Sequence, residues 1–169
     1  MQIAILSFFH YFTPMFKKRE SVLEVEEGKF LSPKFNAEGL IPVITTDHKT
    51  GDVLMHGYMN EDALKKTIET KEAYYWSRSR KVLWHKGKSS GFIQKVIEIR
   101  IDDDQDSIWM RVDIADGASC HVGYKSCFYR EVPLGKIQDQ EKIKMEFKEK
   151  KKKFDPKKVY KNQDNPTEL

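Results

Sequence analysis

The sequence predicts an α+β fold: a mainly antiparallel, barrel-like β core with one or two helices. Three observations carry that expectation. Short β-branched or aromatic runs recur at residues 40–45, 53–58, 73–77, 92–101 and 107–114, most of them separated by turn chemistry. Only the segment after Asn60 places apolar residues at helical spacing. With 39% hydrophobic residues and Trp 3, Tyr 7 and Phe 10 in 169 residues, the chain can fill one core, which matches about one domain per 100–200 residues.

The elements follow in order. Residues 1–16 carry no formal charge but fall short of the about 20 residues a spanning helix needs. Lys17, Lys18 and Arg19 follow that run instead of preceding it, so signal-peptide grammar is missing. Two readings stay open for it: an extension ahead of a start at Met15, or an amphipathic anchor. Residues 17–38 are charge-rich without sustained period, which makes 1–38 an N-terminal leader and places the folded domain at 39–132. Within that domain, residues 40–45 and 53–58 flank turn residues 47–51 and read as a β-hairpin. Asn60 can cap free amides, Glu61 and Asp62 suit the positive end of a helix dipole, and Ala63, Leu64 and Ile68 share a face, so a helix runs to about Thr70. Residues 73–77 read as a strand and 78–91 as a polar loop. Ile97, Ile99 and Ile101 alternate with Glu98 and Arg100, the period of a half-buried strand. Further strands are expected at 107–114 and 127–132. Beyond Pro133 apolar residues thin out, and 133–169 reads as a lysine-rich disordered tail.

Charge narrows the function. The formal net charge is +4, and residues 141–169 hold ten lysines against six acids, so the body is neutral. A neutral body argues against a nucleic-acid-binding domain, whose folded surface needs a basic stripe. The tail reads as a solvated run, and no membrane partner is expected. Cys120 and Cys127, seven positions apart, make no disulfide framework and leave two thiols free to act as metal ligands in a reducing compartment.

Three segments could carry chemistry. Asp102, Asp103, Asp104 and Asp106 crowd one turn, and alternation aims Asp102, Asp104 and Asp106 to one side, a hard oxygen set suited to Mg²⁺ or Ca²⁺. A solvated acidic turn is the competing reading. Cys120, His121 and Cys127 could hold Zn²⁺ if a further ligand comes from elsewhere in the chain or from a second subunit. Two buried structural cysteines would explain the same pattern. Finally, Tyr75, Trp76, Ser77, Arg78, Ser79 and Arg80, followed by Trp84, Lys86, Gly87, Ser90 and Gly91, combine guanidinium forks, hydroxyls and stacking rings, as a phosphorylated nucleotide requires. An exposed basic loop is the alternative.

Taken in order and spacing, these segments resemble the phosphoribosyl-AMP cyclohydrolase family of histidine biosynthesis. The match extends from Gly39, Leu40, Ile41 and Pro42 through Tyr58, Met59, Asn60 and Glu61, the Ser77 to Arg80 run, Leu83, Trp84, Lys86, Gly87 and Gln94, to Cys120, His121, Ser126, Cys127 and Phe128. The resemblance implies a homodimeric cytoplasmic enzyme that hydrolyses the N1–C6 bond of the adenine ring in 1-(5-phosphoribosyl)-AMP. It implies Mg²⁺ on Asp102, Asp104 and Asp106, and Zn²⁺ on Cys120 and Cys127. Arg78, Arg80, Lys86 and Ser90 are assigned to phosphate recognition, Trp76 to the substrate, and His121 to proton transfer or to orienting a ligand.

One departure stands out. The family's third zinc cysteine, contributed across the dimer, falls where this chain has Asp103. Asp103 as an oxygen ligand at an O,S,S site, a different divalent metal in a zinc-sparing paralogue acting on a related nucleotide, and a non-catalytic nucleotide- or metal-binding protein are the three outcomes. Retention of the remaining ligands favours hydrolysis. Val122 in place of the family's usual threonine, and His56 with Gly57 in place of an apolar-small pair, are lesser departures.

Overall fold

A computed structural model of the chain describes residues 15–115, 117–135 and 142–161, so the choice between extension and anchor for residues 1–14 lies outside the described residues. The predicted hairpin is present. Strand β1 (Ile41–Asp47) pairs antiparallel with β2 (Val53–Met59), and Gly51, at φ +79°, donates its amide to the Asp47 carbonyl at 2.9 Å to close the turn. Asn60 caps helix α2 (Glu61–Thr70) by accepting from the Ala63 amide at 2.9 Å. Ala63, Leu64 and Thr67 form its buried face, and Lys71 in the left-handed region ends it.

The strands β5 (Lys95–Ile101) and β6 (Ile108–Asp113) complete a four-stranded sheet of order β2-β1-β6-β5. Pairing is antiparallel except between β1 and β6, which run parallel. The sheet is open, so the barrel-like core expected from the run of short strands is corrected: β3 (Tyr74–Ser77) leaves the sheet and pairs with β4 (Val82–His85) as a separate ribbon. β4 lies inside the segment read as a polar loop, where four residues among basic neighbours gave no period. The core of Ile41, Val43, Leu54, Met59, Leu64, Ile108, Met110 and Val112 sits between the sheet and α2 with β3. A bulge between Val96 and Glu98 breaks the expected alternation, turning Ile97 outward (57% exposed) while Val96, Ile99 and Ile101 border the core.

Three helices are described where one or two were expected, because both flanking segments fold onto the body. Short α1 (Val22–Glu26) belongs to the leader, whose Phe16, Leu31 and Phe35 reach the core. Buried Gln105 in the acidic turn fastens it, accepting from the Ser32 amide at 2.7 Å and donating to the Val25 carbonyl at 2.9 Å. Over residues 142–161 the lysine-rich segment is ordered too: β7 (Arg130–Glu131) pairs with β8 (Glu146–Phe147), and α3 (Pro156–Tyr160) is capped by Asp155. Composition hid this because the anchors are few. Phe147 packs against Tyr124 and Tyr129, and Phe154 stacks on Phe92 at 5.0 Å.

Candidate active site

A buried polar chain underlies the site. Thr45 and Tyr75 hydroxyls share a hydrogen bond of 2.7 Å, the Tyr75 hydroxyl donates to Gln94 Oε1 at 2.8 Å, and Gln94 Nε2 donates to Ser119 Oγ at 2.9 Å. Burial pushes the Tyr75 phenol well above its ordinary pKa, so it stays a neutral donor. Gly57 on β2 makes room for that ring: a Cβ there would lie 2.8 Å from Tyr75 Cδ1. The chain ends at the loop bearing Cys120, Ser119 being its direct neighbour.

Above this floor lies a cavity of about 870 Å³. Its walls hold Tyr58, Trp76, Arg78, Arg80, Trp84 and His121, and Lys86 and Cys127 reach it from below. The ribbon β3–β4 presents both arginines. The Arg78 guanidinium stacks 4.2 Å from the Tyr58 ring centroid, and Arg80 lies 5.8 Å from that of Trp84 while its Nε donates to Ser77 Oγ at 3.2 Å. Cationic forks are thus held against aromatic faces at the rim.

The Cys120 and Cys127 thiols lie close enough to shift each other's protonation. Donation from the Cys127 thiol, helped by backbone amides and the Lys86 ammonium, brings Cys120 down to about 6, while the same pairing and burial push Cys127 up. Of the two, Cys120 is therefore the more readily ionised sulfur and Cys127 the one held as a thiol. Lys86 is buried, its Nζ donating to the Ser119 carbonyl at 2.6 Å, and burial lowers its own pKa. That position sets its charge beside the sulfurs and leaves Arg78, Arg80 and Lys81 as the cations at the rim. Ser90 does not line the cavity; its Oγ accepts from the Phe92 amide at 3.4 Å beside the Gly87 turn.

The acidic turn forms a second centre. Asp102, Asp104 and Asp106 bring ligand oxygens within 4.8 Å of one another. Lys34 Nζ lies 3.1 Å from both Asp104 and Asp106, and its hydrogen bond holds the Asp104 carboxyl below the usual carboxylate range. Asp102 Oδ1 accepts from the amides of Asp106 and Ser107, both at 2.9 Å. Among the described residues this is the one such group of three; exposed Asp103 does not join Cys120 and Cys127 within a single chain. Sequence reasoning gave no role to Lys34, Tyr58, Gln94 or Ser119. Tyr58 and Gln94 stood inside matching motifs, whereas nothing local marked Lys34 or Ser119.

The cysteine loop is also tied to the β1–β2 turn. Lys125 Nζ reaches Asp47 at 2.9 Å and Asp52 at 2.8 Å. Burial alone would raise the Asp47 carboxyl, but the Lys125 bond and local amides outweigh it and hold it below its ordinary value. Burial likewise opposes the Lys125 ammonium, which Asp52 and Asp47 nevertheless raise. The Asp47 contribution is present above the unfolded carboxylate pKa and lost as pH falls through the depressed folded value. The Lys125 contribution is present below the unfolded lysine pKa and lost as pH rises through the elevated folded value. Lys125→Met should therefore cost about 1–3 kcal/mol near neutrality, since it leaves Asp47 without its cation. In denaturant melts the gap to the parent should close below about pH 4 and above about pH 10.4. A gap that stays constant across that range would show that the ion pairs are not its source.

Comparison with known proteins agrees with this geometry. Residues 55–129 match the family described as phosphoribosyl-AMP cyclohydrolase. A phosphoribosyl-AMP cyclohydrolase of Rhodopseudomonas palustris is 53% identical over 137 residues, covering 81% of this chain and 89% of that protein. Those of Nitrobacter winogradskyi and Nitrobacter hamburgensis are 50% and 48% identical, covering 83% and 80% of this chain and 94% and 90% of their own lengths. Cleft, motifs and similarity together define a hydrolase. The chain belongs to the phosphoribosyl-AMP cyclohydrolase family.

Proposed function

We propose that this protein opens the adenine ring of 1-(5-phosphoribosyl)-AMP by hydrolysis of the N1–C6 bond in histidine biosynthesis, as a metal-dependent cytoplasmic homodimer. The observation that supports it best is a cleft lined by Cys127, the sulfur paired with Cys120, whose rim carries Arg78, Arg80 and aromatic rings. The donor chemistry fits a divalent metal: a readily ionised Cys120 thiol, a second sulfur beside it, and a buried polar floor that fixes the loop. A zinc-type ion held by Cys120 and Cys127 would lower the pKa of its water from 15.7 to about 7 and so would supply hydroxide.

The remaining roles fall to side chains. Arg78 and Arg80 bind phosphate, and Trp76, Trp84 and Tyr58 offer stacking faces to the base. Lys86 balances the sulfur charge. His121 delivers a proton to N1 as the bond to C6 breaks, while oxygen from water remains on C6 as the carboxamide carbonyl. Asp102, Asp104 and Asp106 would hold Mg²⁺ where Lys34 now places its ammonium.

Two sulfurs leave the site short of ligands, and a second copy supplies the third. Supporting this, the sheet face opposite α2 exposes Ile44 (37%), Trp109 (39%) and Ile97. Asp103 from that copy would give the O,S,S set, and its hard oxygen favours a second reading, a zinc-sparing enzyme that works with Mn²⁺ or Fe²⁺.

The test is to strip the protein of metal, add Zn²⁺, Mn²⁺ or Fe²⁺ with Mg²⁺, and follow ring opening by absorbance. Turnover with at least one metal, together with tighter zinc binding in Asp103→Cys, is expected. No turnover with any metal would replace the enzyme reading with a binding role, and an unmoved zinc affinity would remove Asp103 from the ligand set.

A further inference from the structure

Residues 142–161 lie beyond the segment 55–129 matched to the family, yet they hold the loop that carries both cysteines. The Glu149 carboxylate accepts from two successive backbone amides, Lys125 at 2.8 Å through Oε2 and Ser126 at 2.9 Å through Oε1. These residues immediately precede Cys127. On the other side, the Cys127 amide donates to the Leu54 carbonyl at 2.7 Å, and Ser126 Oγ donates to the Val53 carbonyl at 2.7 Å. Cys127 is thus clamped between β2 and Glu149. Further along, the Lys153 amide donates to the Gly123 carbonyl at 2.7 Å. Gly123 has φ +101°, and a Cβ there would lie 2.4 Å from the Phe154 carbonyl oxygen, so loop and strap approach too closely for any side chain at that position.

We infer that Glu149 is a positioning residue for the metal ligands: through the amides of Lys125 and Ser126 it sets the Cys127 sulfur against that of Cys120. The strap 142–161 is therefore part of the metal-holding apparatus. The inference rests on the reading of Cys120 and Cys127 as ligands. Its physical basis is that hydrogen bonds to a carboxylate are about twice as strong as neutral ones. Without that acceptor, two adjacent amides beside a ligand lose their partner and the loop re-seats.

The test uses the full chain with Glu149→Gln, Glu149→Asp and Cys120→Ser, each compared with the parent. Zinc affinity is read by competition with a chromophoric chelator, site geometry by the sulfur-to-metal charge-transfer band of bound Co²⁺, and folding by Tm of the metal-free proteins. Glu149→Gln should bind zinc about 10–100-fold more weakly, as loss of a partner behind a metal ligand does, and shift the Co²⁺ band. Glu149→Asp, which keeps the charge one methylene further back, should be intermediate, and it decides the question alone if Glu149→Gln does not fold. Parent-like affinity with an unchanged band in either folded variant would overturn the inference, as would a loss of affinity that merely tracks Tm. A Co²⁺ band in Cys120→Ser with the position and intensity of the parent's would instead overturn the ligand reading, which keeps the two failures apart.

Discussion

If Cys120 and Cys127 hold the metal as proposed, Cys120→Ser should lose hydrolysis by more than the about 10–100-fold that removal of a partner behind a ligand costs, because it removes a ligand sulfur itself. Cys120 is the more readily ionised sulfur of the pair and sits on a buried residue, so its loss removes the better donor. A serine hydroxyl in its place remains protonated and hard. The effect should appear first in bound metal per chain, then in turnover. In the parent, metal binding should weaken as pH falls through about 6, where protons compete for the Cys120 sulfur. Full metal content and turnover in Cys120→Ser would remove the sulfur pair from the chemistry.

Gln94→Leu should be the most damaging single change in the polar floor. Gln94 is fully buried, and its amide links the Tyr75 hydroxyl to Ser119, with Met55 Sδ at 3.6 Å from Nε2. Leucine fills comparable space but leaves Ser119 Oγ without that partner and Tyr75 with Thr45 alone. About 1–3 kcal/mol is lost for each stranded group. In a chain of this size each kcal/mol lowers Tm by about 2–4 °C. Activity should fall further than the folded fraction does, since Ser119 adjoins Cys120 and its carbonyl holds Lys86. A thermal melt that overlays the parent's would show that the floor does not depend on this chain of bonds.

Where local chemistry decides a structure, the sequence was readable. Asn60 marked the start of α2, and residues 47–51 marked the hairpin turn, because caps and turns depend on neighbours in the chain. Part of the cleft wall was readable too, since the run Ser77 to Arg80 and Cys127 both line it. Partners distant along the chain were not: Lys34 meets Asp104 seventy positions away, and Gln105 reaches back to Val25 and Ser32. Neither leaves a periodic trace. Ile97 misled for a different reason, since one bulge reverses the face of a strand without changing its composition. The lysine-rich segment misled because average charge says little when two aromatic anchors, Phe147 and Phe154, decide whether it docks.

The parallel partnership of β1 with β6 joins Val43 to Ile108, residues 65 positions apart. A growing chain can close the β1–β2 hairpin early, yet one flank of its central strand stays open until more than fifty further residues have left the ribosome. Contacts of that span slow folding toward the roughly millisecond-to-second range. Throughout that interval the edge of β1 that β6 will cover has no partner strand, so a slower arrival of β6 prolongs its exposure to other chains.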